Sequence, residues 1–227
     1  MLSSSFVSLN TRTAPFNTLD AREAVNLAID RGHVVDLTGG PQTSAPSCQV
    51  LPPGMFGYAP NCPYTANPTP GGAWTAPDLA RAEQLVRDSG TRGDRVEIWG
   101  WGPSPVGNYV AHVLDQLGYR AVYRGTPRNQ HGFYVANARV QDSRYNTPAG
   151  MGGWAADYSN PDDFIGVLLS CQAFHPADPN NLNAAELCDP ELDRIAQRHG
   201  RPRRPIRPCH RRSGKRPTNV PPTRRRG

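Results

Sequence analysis

The hydrophobic period changes twice between residues 95 and 123, and this change restricts the fold more than any other feature of the chain. Apolar and polar residues alternate over 95–101, as in a strand, and apolar residues then recur at helical spacing as far as Leu117. Gly118 ends the helical pattern, and residues 119–123 alternate again. A strand, helix, strand order predicts a crossover unit in an α/β sheet.

The same alternation of helix and strand extends over the rest of the chain. Strands are expected over 6–10 and 151–154. Start and stop residues predict a helix from Asn17 to Gly32, one from Pro77 to Gly90 with Thr75 as its N-cap, one that follows Asn160 as its N-cap, and one from Asp189 to Gln197. Residues 127–149 show no clear period apart from strand-like character at 133–135. The predicted fold class is therefore α/β.

Residues 39–76 form a long segment without hydrophobic period, and they include eight prolines. A loop of this length inside a compact domain is usually functional or wraps the surface. Cys48 and Cys62 bracket part of it, while Cys171 and Cys188 bracket a second loop. Four cysteines allow three pairings, of which the local one, 48 with 62 and 171 with 188, is the simplest. Disulfides in these loops would indicate an oxidising compartment.

A metal site is the alternative use of the second cysteine pair. Cys171, His175, Cys188 and His199 could supply four ligands, but their spacing matches no standard zinc pattern. Neither a metal nor any other cofactor is expected.

The charge of the chain is divided unevenly. The formal net charge is +6, yet residues 199–227 hold 11 of the 25 basic residues and no acidic one. Residues 1–198 contain 14 basic and 19 acidic residues, a net charge of −5. No nucleic-acid partner is expected for this acidic part, which we treat as one domain.

Residues 199–227 are rich in Arg and Pro and poor in apolar residues, so we expect them to be a disordered tail. Two explanations are open. Arg, Pro and Gly have GC-rich codons, so an out-of-frame reading of GC-rich DNA would give this composition. The alternative is a basic arm that binds nucleic acid.

The first residues carry no basic region followed by a long apolar run, so no secretory signal is expected at residue 1. No stretch reaches the ~18 apolar residues of a membrane span. Loops that suit disulfides conflict with the lack of an export signal, and the conflict disappears if the chain begins inside a longer protein.

Residues 152–164, GGWAADYSNPDDF, carry the strongest indication of function. Trp154 and Tyr158 flank the carboxylate of Asp157 at the point where a predicted strand gives way to a helix. An acidic group between aromatic rings suits a cationic or amphipathic small ligand. From the residues alone, an equally good explanation is that Asp157 caps the helix and Trp154 belongs to the core.

Several motifs in the same order resemble family 5 of the bacterial solute-binding proteins, the oligopeptide, dipeptide and nickel receptors of ABC importers. They are NTR at 10–12, PFN at 15–17, REAVNLAIDR at 22–31, PPG with GY at 52–58, the helix at 77–90, and GWAADY at 153–158. The resemblance extends over residues 6–198.

The resemblance implies a lobe like those of type 2 periplasmic binding proteins, with a mixed sheet and flanking helices. Family members have two such lobes, and this chain resembles the second lobe, with the first lobe missing. The resemblance implies that Asp157 pairs with the α-amino group of a peptide and that Trp154 forms the adjacent wall, with Gly153 and Tyr158 in the same ligand-binding segment.

The resemblance also implies a location and partners for the intact protein. We expect a periplasmic or extracytoplasmic binding protein that takes a peptide or another small cationic or amphipathic solute and delivers it to ABC importer permease subunits. An enzyme is not expected, because the serines lie in no G-x-S-x-G elbow. A non-transport binding protein whose basic tail engages nucleic acid is the alternative.

Overall fold

A computed structural model describes the backbone of residues 2–200 and the side chains as far as residue 196. The four strands are β1 (Ser3–Leu9), β2 (Arg95–Trp101), β3 (Arg120–Thr126) and β4 (Ala149–Ala155). The helices are α1 (Leu19–Ala28), α2 (Arg31–Leu37), α3 (Leu79–Asp88), α4 (Pro105–Gln116), α5 (Gln130–Gln141), α6 (Asp162–Leu169) and α7 (Pro190–Gly200). The expected tail lies almost wholly outside these residues. Within them, every helix is too short or too polar to cross a membrane.

The strands form one mixed sheet in the order β1-β4-β2-β3. β2 is parallel to both β3 and β4, and β1 is antiparallel to β4. The crossover predicted for residues 95–123 is confirmed, and the carboxyl ends of β2, β3 and β4 lie at one edge of the sheet. Trp99 pairs with Gly150. β2 ends two residues after this pair, at Trp101, whereas β4 extends five residues beyond it, to Ala155, so β4 continues past the end of β2. The segment after β4 therefore projects from this edge.

The main core lies on one face of the sheet. Val96 and Ile98 of β2 are fully buried there, beneath apolar residues of α1, α3 and α4. Phe16 and Leu27 are fully buried in the same cluster. Since burying a large apolar side chain contributes about 1.5–3 kcal/mol, this cluster fixes the positions of the three helices on the sheet.

A second, smaller core lies on the other face of β1 and β4. Met55, Phe164 and Leu168 are buried in it, and Phe6 and Trp154 pack against it. Met55 belongs to the proline-rich loop, residues 39–76, and Phe164 belongs to α6. This cluster therefore holds the loop and the start of α6 beside the end of β4.

Both pairs of loop cysteines are joined locally, Cys48 with Cys62 and Cys171 with Cys188. In the chain-entropy model, closing a loop of about 15 residues stabilises a fold by about 3 kcal/mol. A disulfide leaves Cys171 and Cys188 without the thiolates that the alternative metal site requires. Among the side chains as far as residue 196, no group of three or more His, Cys, Asp and Glu residues could hold a metal ion.

One helix contradicts the pattern read from the sequence. Residues 133–135 lie inside α5, so the strand-like character expected there was wrong. Asn129 begins this helix by accepting a hydrogen bond from the backbone N–H of Gly132, at 2.8 Å. A side chain at Gly132 would overlap the carbonyl group of Pro127, so only glycine fits at this position. Glycine is a poor helix former, and its presence makes the helix harder to recognise in the sequence.

Two predicted helix starts are also displaced. α1 begins at Leu19 rather than at Asn17. α3 begins after Asp78, whose side chain accepts a hydrogen bond from the N–H of Arg81. Thr75, the expected cap, instead bonds to Thr65 across the proline-rich loop. Helix ends are the least certain part of a sequence-based prediction because several nearby polar side chains can cap the same turn.

Candidate functional site

The candidate site is the loop that joins β4 to α6 at the carboxyl edge of the sheet. Asp157 lies in this loop with an exposed side chain. Its carboxylate takes part in none of the hydrogen bonds or ion pairs found among the side chains as far as residue 196. The structure therefore does not bear out the alternative that Asp157 caps a helix.

The backbone of this loop is held by a different acidic residue. Asp163, only 1% exposed, accepts hydrogen bonds at its Oδ2 from the backbone N–H of Asp157, at 2.8 Å, and of Tyr158, at 3.4 Å. A buried carboxylate is costly unless it is paired in this way, and charge-assisted bonds are about twice as strong as neutral ones. Asp163 thus fixes the backbone that carries the free carboxylate.

The start of α6 supports the same loop. The helix begins at Asp162, and Asn160 accepts hydrogen bonds from two amides of its first turn, that of Asp162 at its side chain and that of Asp163 at its carbonyl oxygen. Asn160 therefore acts as the predicted cap. Asp162 and Asp163 both complement the helix dipole from the first turn, and Asp163 in addition holds the loop backbone.

Trp154 contributes to the second core. Its ring packs against the cluster around Phe164, as the core alternative anticipated. Its Nε1 is buried and has no hydrogen-bond acceptor among the residues that the structure describes. A buried donor without an acceptor lowers the stability of a fold by about 1–3 kcal/mol, so this N–H is an unfavourable feature of the lobe as described.

Gly153 and Tyr158 lie on the exposed side of the segment. A Cβ at Gly153 would lie 3.3 Å from the carbonyl oxygen of Ser4, so even a methyl group would be tight against β1. The Tyr158 ring is 51% exposed. Partial burial and the nearby carboxylates of Asp162, Asp163 and Asp157 raise the pKa of Tyr158.

The proline-rich loop forms a flank of the site. Tyr58 packs against the second core together with Trp154. A Cβ at Gly57, whose φ is +77°, would lie 3.8 Å from the ring of Pro161. The disulfide between Cys48 and Cys62 therefore closes a loop that contacts the candidate site.

A further group at the carboxyl edge was missed by the sequence reasoning. Trp101 is 47% exposed and meets Phe133 edge to face, at 5.6 Å between ring centres. The guanidinium of Arg128 lies 5.8 Å from the Trp101 ring and makes no ion pair with any described side chain. The signal was the W-x-W pattern of β2, whose odd positions face away from the main core.

Comparison with known proteins identifies the family to which this chain belongs. Residues 1–176 match the family described as bacterial extracellular solute-binding proteins, family 5 Middle. The chain belongs to this family. Family 5 proteins bind solutes, and the three relatives described next are named as binding proteins.

The curated relatives are identical to this chain at about a quarter of the aligned residues. The probable ABC transporter periplasmic-binding protein SapA of Escherichia coli is 24% identical over 204 residues, which is 85% of this chain and 33% of SapA. The probable di/tripeptide-binding protein 5 of Pseudomonas aeruginosa is 27% identical over 84% of this chain and 33% of its own length. Heme-binding protein A of Haemophilus influenzae is 24% identical over 86% of this chain and 33% of its own. The chain spans about a third of the length of these relatives.

Solved structures confirm the fold. The periplasmic binding protein DppA of Helicobacter pylori, in complex with the peptide STSA, superposes with a TM-score of 0.71 at 23% identity, over 88% of this chain and 36% of DppA. A dipeptide-binding protein of Pseudoalteromonas sp. SM9913, in complex with Met-Leu, gives a TM-score of 0.69 at 22% identity, over 88% and 37%. The chain therefore has the expected α/β lobe of a type 2 periplasmic binding protein.

Proposed function

We propose that this chain is the ligand-binding lobe of a peptide receptor for an ABC importer and that Asp157 holds the α-amino group of the peptide. The observation that carries the proposal is a free carboxylate on a braced loop within the GWAADY segment of a family 5 protein. Two of the three relatives described above are named for transport or peptides, and the third is named for heme.

The electrostatics of the loop suit a cationic ligand group. Two unit charges 4 Å apart attract by about 1 kcal/mol in water and by about 4 kcal/mol at the effective dielectric constant of a protein surface. The free carboxylate of Asp157 would therefore bind an ammonium group weakly while the edge stays open to water. Closure of a second lobe over this edge would exclude water and strengthen the same contact.

The other predicted residues have supporting roles in this proposal. Tyr158, half exposed, would flank the bound backbone, and the close approach at Gly153 would keep the floor of the site free of side chains. Trp154 would form the wall behind Asp157, with its ring anchored in the second core. The buried indole N–H remains without an assigned partner.

The proposal also covers location and partners. We infer that the intact protein works outside the cytoplasm, because two disulfides stabilise its loops and oxidising compartments favour such bonds. We propose the permease subunits of an ABC importer as the proteins that receive its ligand. No nucleic acid takes part in this function.

The test is a titration of the chain with trialanine and with N-acetyltrialanine, followed by the backbone amide signals in NMR. Trialanine should shift the signals of Asp157 and Tyr158, and the acetylated peptide should not, because it lacks the ammonium group. Asp157→Asn should weaken trialanine binding by about tenfold or more, the value of one charge-assisted hydrogen bond.

Asp162→Asn is the matched control, because Asp162 is an exposed acid five residues away in the first turn of α6. It should leave trialanine affinity within about twofold of wild type. Equal weakening by both substitutions would mean that the loop attracts cations only through its general charge. Equal binding of the free and acetylated peptides would contradict the proposed role of Asp157.

A further inference from the structure

Three exposed aromatic side chains, Trp101, Phe133 and Tyr134, form a connected aromatic platform at the carboxyl edge of the sheet. Their exposed fractions are 47%, 41% and 61%. The ring of Phe133 meets that of Trp101 at 5.6 Å and that of Tyr134 at 5.7 Å between ring centres, edge to face in both cases. A contiguous apolar surface that stays open on a folded domain usually marks a binding site.

The ring of Trp101 and the cation beside it are both held in place. The indole Nε1–H of Trp101 donates a hydrogen bond to the backbone oxygen of Asn129, at 3.2 Å. Arg128 donates from Nη2 to the backbone oxygen of Pro103, also at 3.2 Å. A Cβ at Gly102, whose φ is +73°, would lie 3.0 Å from Nε of Arg128, so glycine allows the guanidinium to approach. A ligand would therefore meet an indole and a guanidinium that are already positioned.

The register of the sheet places an open slot beside the platform. Trp99 pairs with Gly150. Continuing this register places Trp101 level with Gly152. Gly152 is exposed, and a Cβ there would lie 2.8 Å from the ring of Phe6. The slot beside Trp101 therefore has a floor that only glycine leaves free.

The slot leads to the Asp157 loop. Residues two apart on a strand face the same way, so Trp154 lies on the same face as Gly152 and closer to Asp157. Asp157 follows Gly152 by five residues, a separation of at most about 17 Å at about 3.3 Å per residue. An extended peptide advances about 3.5 Å per residue. A peptide that begins at Asp157 can therefore place a long side chain of its third residue on the platform.

An aromatic ring is the side chain that suits the platform best. Two rings that stack or meet edge to face gain more than the apolar area they bury. The guanidinium of Arg128, 5.8 Å from the centre of the Trp101 ring, would also attract the face of a further ring. A saturated side chain of the same size would gain from buried area alone. The platform therefore favours an aromatic residue over an aliphatic one.

We propose that the aromatic platform binds the side chain of the third residue of a peptide and selects Phe, Tyr or Trp at that position. The inference rests on the proposed function, because Asp157 holds the amino group of the same peptide. Asp157 serves any peptide with a free amino terminus, whereas Trp101 and Phe133 determine which peptides bind most tightly.

Three tripeptide amides test the proposal on the full 227-residue chain. They are Ala-Ala-Ala, Ala-Ala-Phe and Ala-Ala-cyclohexylalanine, whose last residue resembles phenylalanine in size but has no aromatic ring. Affinities are followed in NMR by the backbone amide signal of Asp157 and the indole N–H signal of Trp101. The Phe peptide should shift both signals. It should bind about tenfold more tightly than the Ala peptide and at least about threefold more tightly than the cyclohexylalanine peptide.

Trp101→Leu should reduce the preference for Phe over Ala at the third position to less than about twofold. Tyr145→Leu is the matched control, because Tyr145 is 46% exposed but precedes β4, at the opposite edge of the sheet. It should keep the preference of about tenfold. Should Trp101→Leu fail to fold, Phe133→Leu takes its place and should reduce the preference at least about threefold.

Each of the other results has a defined meaning. Equal binding of the Phe and cyclohexylalanine peptides would overturn the proposal, because the platform would then offer apolar surface alone. Equal binding of the Phe and Ala peptides, with the Asp157 signal shifted by both, would also overturn it and leave the proposed function standing. No shift of the Asp157 signal by any peptide would contradict the proposed function and this inference together. A dimer in sedimentation velocity that Trp101→Leu dissociates would assign the platform to a second copy of the chain.

Discussion

At the scale of single residues, Asp163 is the group on which the geometry of the candidate site depends. It is buried, and its Oδ2 accepts hydrogen bonds from the backbone N–H groups of Asp157 and Tyr158. Asp163→Ala would leave these two amides without their acceptor. We expect the free energy of unfolding to fall by about 1–3 kcal/mol, as measured by urea denaturation.

Asp162→Ala is the control for this prediction, because Asp162 is the exposed neighbour in the same helical turn. Its effect should stay within about 0.5 kcal/mol. Similar values for the two substitutions would show that Asp163 acts only through the helix dipole. In that case the loop that carries Asp157 would have another source of order.

The sequence located the free carboxylate but not the residue that braces it. The GWAADY motif identified Asp157 because a local pattern carries it. Asp163 differs from Asp162 only in burial, and burial depends on how α6 packs against the second core. Trp101 was missed for a related reason, since alternation shows that two positions share a face without showing which face is covered.

At the scale of elements, the β2–β3 pair carries an ionic cluster on its open face. Glu97 pairs with Arg95 on its own strand, at 2.9 Å, and with Arg124 across the ladder, at 3.2 Å. Partial burial by itself would raise the pKa of Glu97, but hydrogen bonds from Arg124 and Trp99 and the charges of both arginines lower it below its ordinary value.

A lowered carboxyl pKa stabilises the fold above the pKa of the unfolded chain, and that stability is lost as the pH falls through the folded-state pKa. Glu97→Gln should therefore lower the free energy of unfolding at pH 7 by at most about 1 kcal/mol, since the cluster is partly exposed. The difference from wild type should disappear in strongly acidic buffer. A difference that persists there in urea denaturation would show that Glu97 acts through packing.

Secondary structure was predictable where pattern and packing agreed. In β2 and α4 the residues Val96, Ile98, Val110 and Leu114 of the pattern are buried in the main core, and Ala121 and Tyr123 of β3 pack against it. In α5 they are not, because Phe133 and Tyr134 are exposed and the buried positions are Gly132 and Ala136. A helix that buries only small residues shows no hydrophobic period in its sequence. The need for glycine at position 132 arises from the contact with Pro127, which the sequence pattern does not reveal.

At the scale of the whole molecule, the charge divides the chain into two parts with opposite sign. Residues 1–200 contain 14 basic and 19 acidic residues, whereas residues 201–227 contain 11 basic residues and no acidic one. Both hydrophobic clusters lie within residues 2–196. The described core residues therefore all precede the basic segment, and the charge of that segment is the reason to expect binding to nucleic acid.

A chain that ends at Gly200 should show this division in two measurements. Its melting temperature should stay within about 2 °C of that of the full chain, because no described apolar contact is removed. Its binding to a 20-base-pair DNA duplex, followed by fluorescence anisotropy in 50 and 200 mM salt, should be lost, while the full chain should bind with a steep dependence on salt. DNA binding that survives the truncation would point instead to a basic surface on the lobe, with Arg120 and Arg124 of β3 as the first residues to replace.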